Sequence, residues 1–155
     1  MGQTLMSRVD FYFIPQSGSQ ARLLFACRLL EKAYQQEQPV YVHLENAEKA
    51  HFFDQLLWTY RDDSFLPHQL ISDEKMVFSS PLQLGYSEQP QTPASILLNL
   101  HTEIPAFHHH FQRILEIMSN EAQFKIQAEK FRIFYQEKGY TIHSHQIQAL
   151  PFNGK

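Results

Sequence analysis

Short apolar runs alternate with longer amphipathic segments through the first third of the chain. Residues 9–14 form an apolar, aromatic run that stops at Pro15, which predicts a buried strand. Residues 19–37 repeat apolar side chains at helical spacing, and residues 40–44 form a second short apolar run. The pattern predicts a β-α-β unit, in which two parallel strands are joined by a right-handed crossover.

The rest of the chain continues this alternation of strands and helices. The pattern predicts a helix at 47–58 with Asn46 as its N-cap, and a last helix at 120–138 that stops at Gly139. Further strands are predicted at 81–86, 95–100 and 111–118, and residues 102–110 receive no clear assignment. From residue 140 onward the chain is short and polar, which suggests an edge strand and a tail.

These elements indicate an α/β fold, with a mostly parallel twisted sheet covered by helices on both faces. The 155 residues suit a single three-layer domain, in which we interpret residues 1–6 as an N-terminal extension and residues 146–155 as a C-terminal tail. The layout is Rossmann-like, but the first strand-to-helix turn, residues 16–20, holds one glycine where a dinucleotide fingerprint has three. A nucleotide-binding or enzymatic domain with an unrecognised site is therefore the alternative interpretation, not the first one.

Charge and chemistry narrow the function further. The formal net charge of −3 counts against duplex DNA as the main ligand, because phosphate binding needs clustered cations. The single cysteine, Cys27, lies on an apolar helical stripe and fits a core residue in a reducing cytoplasm. Histidines 108–110 are adjacent and should point in different directions, so we interpret them as solvated loop residues and expect no metal or cofactor. No apolar run approaches the ~20 residues of a membrane span.

The stretch 56–70 holds the only tryptophan, Trp58, at the predicted end of a helix. A polar turn, 61–64, separates it from Phe65, so the two rings could share one apolar patch. Either both rings fill the core, as most large apolar residues do, or they form an exposed aromatic anchor for a partner protein.

The last helix places cations beside an apolar stripe. The stripe consists of Phe124, Ala128, Phe131 and Tyr135. Lys125 and Arg132 project about 20° apart along its border, and Lys130 lies on another side. These are either ordinary cations at the edge of a buried face, or one side of a pocket for an acidic peptide that ends in an apolar residue.

The block formed by residues 57–58, the polar turn and residues 64–68 resembles the chi subunit of bacterial DNA polymerase III. Weaker matches follow in the right order at 9–13, 95–100, 131–132 and 139–140. The resemblance implies a non-catalytic adaptor. One surface would bind the psi subunit, which tethers chi to the clamp loader, and another would bind the acidic C-terminal tail of the single-stranded DNA-binding protein.

The resemblance also implies which residues form each surface. The psi-binding surface would consist of Trp58, Phe65, Leu66, Pro67 and, at its edge, His68. The tail-binding surface would consist of Lys125, Lys130, Phe131, Arg132 and Tyr135. A basic residue that the family has before its basic-aromatic-basic triplet corresponds to about Ala128 here, so the tail site departs from the family pattern. Direct single-stranded DNA binding near Phe131 and Arg132 is a weaker hypothesis, because the chain is mildly acidic and shows no longer basic groove.

Overall fold

The computed structural model describes residues 7–60, 66–71, 80–87, 90 and 92–148. The strands are β1 Arg8–Phe13, β2 Val40–His43, β3 Gln69–Leu70, β4 Leu82–Gly85, β5 Ile96–Asn99, β6 Arg113–Met118 and β7 Thr141–Gln146. The helices are α1 Ser19–Gln35, α2 Ala47–Thr59 and α3 Ala122–Glu137, with a 3₁₀ turn at Ala106–His110. The polar turn at 61–64, the expected extension at 1–6 and most of the expected tail lie outside the described residues.

The described strands form one sheet in the order β3-β4-β2-β5-β6-β1-β7, and every neighbouring pair is parallel. The predicted α/β fold with a mostly parallel sheet is therefore confirmed. Strands β1 and β2 run parallel, as the β-α-β pattern predicts, but β6 and β5 lie between them. The connection through α1 thus passes over two strand positions of the sheet, which β5 and β6 occupy.

Helices cover both faces of the sheet because successive strand residues point to opposite sides. In β6, Leu115 and Ile117 pack in a core with α1 and α2, whereas Ile114 and Met118 pack in a second core with α3. Neighbouring strands repeat the pattern. The result is a three-layer domain with α1 and α2 on one face and α3 on the other.

Local signals set the helix ends where the sequence predicts them. The Asn46 side chain accepts a hydrogen bond of 2.9 Å from the Lys49 backbone N–H, which caps α2. At the other end of the chain, Gly139 has φ +94°, a conformation that favours glycine, and it follows α3 by two residues. The polar segment after it forms edge strand β7, so Gln146 belongs to the sheet and not to the tail.

Residues 102–110, which have no clear assignment from the sequence, contain the 3₁₀ turn and one buried histidine. The 3₁₀ turn buries Phe107 and His108, while His109 and His110 are exposed. His108 Nδ1 lies 2.6 Å from the Tyr140 hydroxyl. The interpretation of all three histidines as solvated is wrong for His108, because the turn folds its ring under the end of α3.

A buried carboxyl group joins the sheet to α3. Glu116 of β6 is fully buried, and its Oε2 accepts hydrogen bonds from the Tyr135 hydroxyl at 2.8 Å and from Asn99 Nδ2 at 3.0 Å. Burial raises the pKa of Glu116 to about 7, against these hydrogen bonds and the charge of Arg22, which lower it. Burial thus favours the protonated form of Glu116 over a wider pH range than for a solvated glutamate.

This group predicts a pH-dependent stability. Between pH 4.5, the ordinary glutamate value, and about 7, the unfolded Glu116 is ionised while the folded one keeps its proton. In this window the unfolded state binds fewer protons than the folded state. The contribution of Glu116 to the free energy of unfolding therefore falls as pH rises. We expect Glu116→Gln to be more stable relative to the parent at pH 8 than at pH 4.5, as measured by urea unfolding. Glu137→Gln, at an exposed position of α3, is the control. Parallel stability profiles for Glu116→Gln and the parent would contradict the assignment.

Candidate functional site

The last turn of α2 presents Trp58 to solvent. Its neighbour Leu57 is 2% exposed and Phe53 is fully buried, whereas Trp58 is 44% exposed. The helix therefore turns its apolar stripe inward and leaves the indole outside. Of the two alternatives for Trp58, the core position is wrong and the exposed position is correct.

His68 supports the indole from below. The two rings lie 4.2 Å apart between centroids. His68 is 8% exposed, its Nδ1 is 2.7 Å from the Leu66 carbonyl oxygen, and its Nε2 is 3.1 Å from Asp54 Oδ1. The expectation that His68 forms the edge of a surface is therefore wrong. The buried imidazole packs against the indole of Trp58 and holds it at the surface.

The other residues expected near Trp58 differ in their exposure. Leu66 is 3% exposed and belongs to the core, and Pro67 is half-buried. Phe65 lies outside the described residues. Phe52, which the sequence analysis did not select, is 57% exposed on the same helix. Its signal in the sequence is its position off the apolar stripe of α2.

Helix α3 packs as its periodicity predicts. Ala128, Phe131 and Tyr135 are buried, and Phe124 is half-buried. Tyr135 has no exposed surface and its hydroxyl is bound to Glu116. Direct contact between Tyr135 and a peptide is therefore excluded in this conformation, and Phe131, at 8% exposure, forms a wall at most.

The cations of α3 are differently placed. The Arg132 guanidinium forms an ion pair with the Glu129 carboxylate and donates from Nη1 to Gln136 Oε1 at 2.9 Å. Among the described residues, Lys125 and Lys130 are exposed and have no ion-pair partner. Seven residues place Lys125 and Arg132 about 10 Å apart along the helix axis. The two cations therefore follow one another along the border of the apolar stripe, which is where the helical projection places them.

A crevice of about 350 Å³ lies beside Lys125, at the carboxyl ends of β1, β6 and β7. Its lining includes Phe13, Ile14, Met118, Phe124, Lys125 and Gln146. The crevice forms because β1 leaves the sheet toward α1 on one face, while β6 leaves it toward α3 on the other, so their loops diverge. Of the lining residues, only Phe124 and Lys125 were singled out by the sequence pattern, although ligands often bind at the carboxyl edge of a parallel sheet.

The start of α3 lies near this crevice, and its N-cap residue is the acidic Glu121. The Glu121 carboxylate makes no cap hydrogen bond but accepts one of 2.9 Å from Ser119 Oγ. The backbone N–H groups of Phe124 and Lys125 donate to the Glu121 carbonyl oxygen. The crevice thus combines apolar walls with one cation in its lining, Lys125.

Reactive chemistry is not apparent in the part of the chain that the structure describes. No group of three or more histidine, cysteine, aspartate or glutamate side chains there could hold a metal ion. Burial raises the pKa of the Cys27 thiol to about 12, which fits the predicted core role. None of the described helices is both long and apolar enough to cross a membrane.

Comparison with solved structures supports the fold alone. The chain superimposes on part of T4 UvsW, known from a crystal structure, with a TM-score of 0.62 at 8% sequence identity. The match covers 94% of this chain and 42% of UvsW, so the chain spans less than half of that protein.

Sequence comparisons give the family. The family model of the DNA polymerase III chi subunit, HolC, matches residues 6–143. The chain is 38% identical over 146 residues to the DNA polymerase III subunit chi of Pseudomonas aeruginosa, covering 94% of this chain and all of that one. It is 26% identical over 122 residues to the subunit chi of Haemophilus influenzae, covering 78% of this chain and 84% of that one. These matches confirm the resemblance carried by Trp58 and its neighbours, and the chain belongs to the family of DNA polymerase III chi subunits.

Proposed function

We propose that this chain is a non-catalytic adaptor that links the psi subunit of the clamp-loader complex to the C-terminal tail of the single-stranded DNA-binding protein. Family membership supplies the replication role. The observation that carries the rest is the placement of two candidate surfaces on opposite faces of the sheet, Trp58 on α2 and the Lys125 crevice on α3. Two partners could then bind at once without competing. Such a subunit would work in the bacterial cytoplasm.

Trp58 has the properties of an interface anchor for psi. Tryptophan dominates interface hot spots because it buries a large rigid surface at a low cost in conformational entropy. Here the ring is half-exposed yet held on His68, whose Nδ1 is tied to the chain at Leu66. Because the ring is already held in place, it loses little conformational entropy on binding. More of the favourable contact free energy then remains in the binding free energy.

The crevice beside α3 suits the end of an acidic tail. Its apolar walls, among them Phe13, Met118 and Phe124, can receive an aromatic side chain, and its volume lies within the ~300–1,000 Å³ typical of ligand pockets. The Lys125 ammonium group would meet a carboxylate of the tail. Arg132 is shared with Glu129 and Gln136 and does not line the crevice, so Lys125 is the stronger candidate for direct contact.

We expect Trp58→Ala to abolish capture of purified psi while it leaves tail binding and folding almost unchanged. The physical reason is that the indole is half-exposed, so its removal leaves no large cavity in the fold. A pull-down with psi and a thermal melt measure the two effects. Phe52→Ala, which truncates another exposed aromatic residue of α2, is the matched control and should retain psi. Equal loss of psi in both variants, or loss of tail binding in Trp58→Ala, would argue against a separate psi surface.

We expect micromolar binding, by calorimetric titration, of an acidic peptide that ends in Ile-Pro-Phe. Lys125→Ala should weaken it by roughly tenfold, since a hydrogen bond to a charged group contributes ~1.5–3 kcal/mol, and Arg132→Ala should weaken it less. Raised salt should also reduce the affinity. Lys138→Ala, beyond the far end of α3, is the control for a lost surface charge.

A peptide without its final phenylalanine should bind much more weakly, because it leaves the apolar walls of the crevice empty. If the full peptide does not bind at low salt, the tail-binding half of the proposal is wrong. If Lys138→Ala weakens binding as much as Lys125→Ala does, the tail does not use the crevice.

A further inference from the structure

A basic surface lies on the opposite side of the sheet from α3, where α1 leaves strands β1 and β7 partly uncovered. We call it the basic sheet face and define it by Arg8, Tyr12, Arg113 and His145 on the strands, with Arg28 and Lys32 on α1. A groove of about 410 Å³ between α1 and the sheet includes Tyr12, Arg28, Lys32 and Arg113 in its lining. These residues are far apart in the sequence, and the proposed adaptor function uses none of them.

Parallel in-register pairing brings the strand residues together. Arg8 is paired with Arg113 across β1 and β6, and Tyr12 is paired with His145 across β1 and β7. Paired residues in neighbouring strands point to the same side of a sheet. The side chains of Arg8, Arg113 and His145 are 40%, 32% and 39% exposed, so all three are accessible.

A single buried carboxylate holds these side chains in place. Asp10 is fully buried and accepts from Arg8 Nη2 at 2.6 Å, from Arg113 Nε at 2.8 Å and from His145 Nε2 at 2.7 Å. Burial alone would raise the pKa of Asp10, but the three hydrogen bonds outweigh it and lower the pKa to about 2. Each guanidinium has five N–H donors, so both keep donors for an external anion.

Aromatic rings lead from the core to this surface. The ring centroids of Phe25, on α1, and Tyr12 lie 5.5 Å apart. The Tyr12 ring stacks on the His145 ring, with 4.7 Å between centroids and 15° between the ring planes. His145 is the outermost ring, on edge strand β7. A planar group that approaches from solvent could continue this stack.

Charge indicates what would bind. The face brings the cationic side chains of Arg8, Lys32 and Arg113 together around the carboxylate of Asp10. The whole chain has a net charge of −3, so this local excess is opposed to the general charge of the molecule. An anionic ligand with exposed rings complements both features, since its phosphates would meet the cations and its bases would meet the stack.

We propose that the basic sheet face binds single-stranded DNA, with phosphates on Lys32, Arg8 and Arg113 and a base stacked on His145. Duplex DNA would keep its bases paired and away from the ring, and an acidic peptide would use the cations but not the stack. The location differs from the Phe131–Arg132 region considered from the sequence, where Phe131 is too deeply buried to stack on a base. Because this surface is separate from the Lys125 crevice, its test does not depend on the tail-binding proposal.

Fluorescence anisotropy with a labelled 20-nucleotide oligo(dT), titrated with the full chain at several salt concentrations, tests this directly. We expect binding at low salt that weakens linearly in a plot of log affinity against log salt. Lys32→Glu should weaken binding at least about threefold and reduce the salt slope by roughly 0.7, the value for one phosphate contact on a single strand. His145→Ala should weaken it about fivefold or more through lost stacking, with a smaller effect on the slope.

Controls separate the site from general charge. Lys49→Glu changes the net charge by the same amount on α2, where Lys49 is exposed and pairs only with Glu45 among the described residues, and it should bind oligo(dT) like the parent. Lys125→Ala should also bind it normally. Absence of binding at low salt would overturn the proposal, as would equal losses in Lys32→Glu and Lys49→Glu. Tighter binding of an acidic peptide than of oligo(dT), lost in Lys32→Glu, would identify this face as a peptide site instead.

Discussion

The parallel pairing of β1 with both β6 and β7 is the constraint on which the two proposed binding surfaces at this end of the molecule depend. It aligns the carboxyl ends of three strands, so the loops that leave them open the crevice beside Lys125. The same register brings Arg8 beside Arg113 and Tyr12 beside His145 on the opposite side. A slip of one residue would turn each side chain to the other face and remove both surfaces at once.

Two buried carboxyl groups in this part of the sheet have pKa values shifted in opposite directions. Asp10 lies on the α1 side among cationic partners, which keep it ionised despite burial. Glu116 lies on the α3 side with the neutral donors Tyr135 and Asn99, and its pKa rises to about 7. The difference follows from the neighbours, because charged donors compensate for lost hydration and neutral donors do so only partly. Asp10 thereby organises a charged surface, whereas Glu116 anchors α3.

The proposed adaptor role requires surfaces that keep one shape before the partner arrives. The Trp58 ring packs on a buried histidine, and the lining of the crevice includes the strand residues Phe13 and Met118 and the helix residue Phe124. Preorganised surfaces of this kind reduce the entropy lost on association. The family to which the chain belongs places it at DNA replication, and the opposite positions of α2 and α3 on the sheet allow two contacts at the same time.

The sequence by itself determined the elements and their ends. Apolar periodicity located the strands and helices, Asn46 and Gly139 marked two helix termini, and the block around Trp58 indicated the family. These features could be predicted because they depend on neighbouring residues or on the spacing within one element. The sequence did not decide whether Trp58 is buried, since an aromatic residue at the end of a helix fits either environment.

Only the tertiary structure decided which distant residues meet. The crevice joins Phe13, Met118 and Gln146 to Lys125, and the basic sheet face joins Arg8 to Arg113 and Tyr12 to His145. No local pattern encodes these contacts, because strand order depends on which buried faces fit together once all the helices are in place. Single cations scattered along an acidic chain therefore resemble ordinary surface residues in the sequence. They form a basic surface only because the parallel strands place Arg8 beside Arg113 around Asp10.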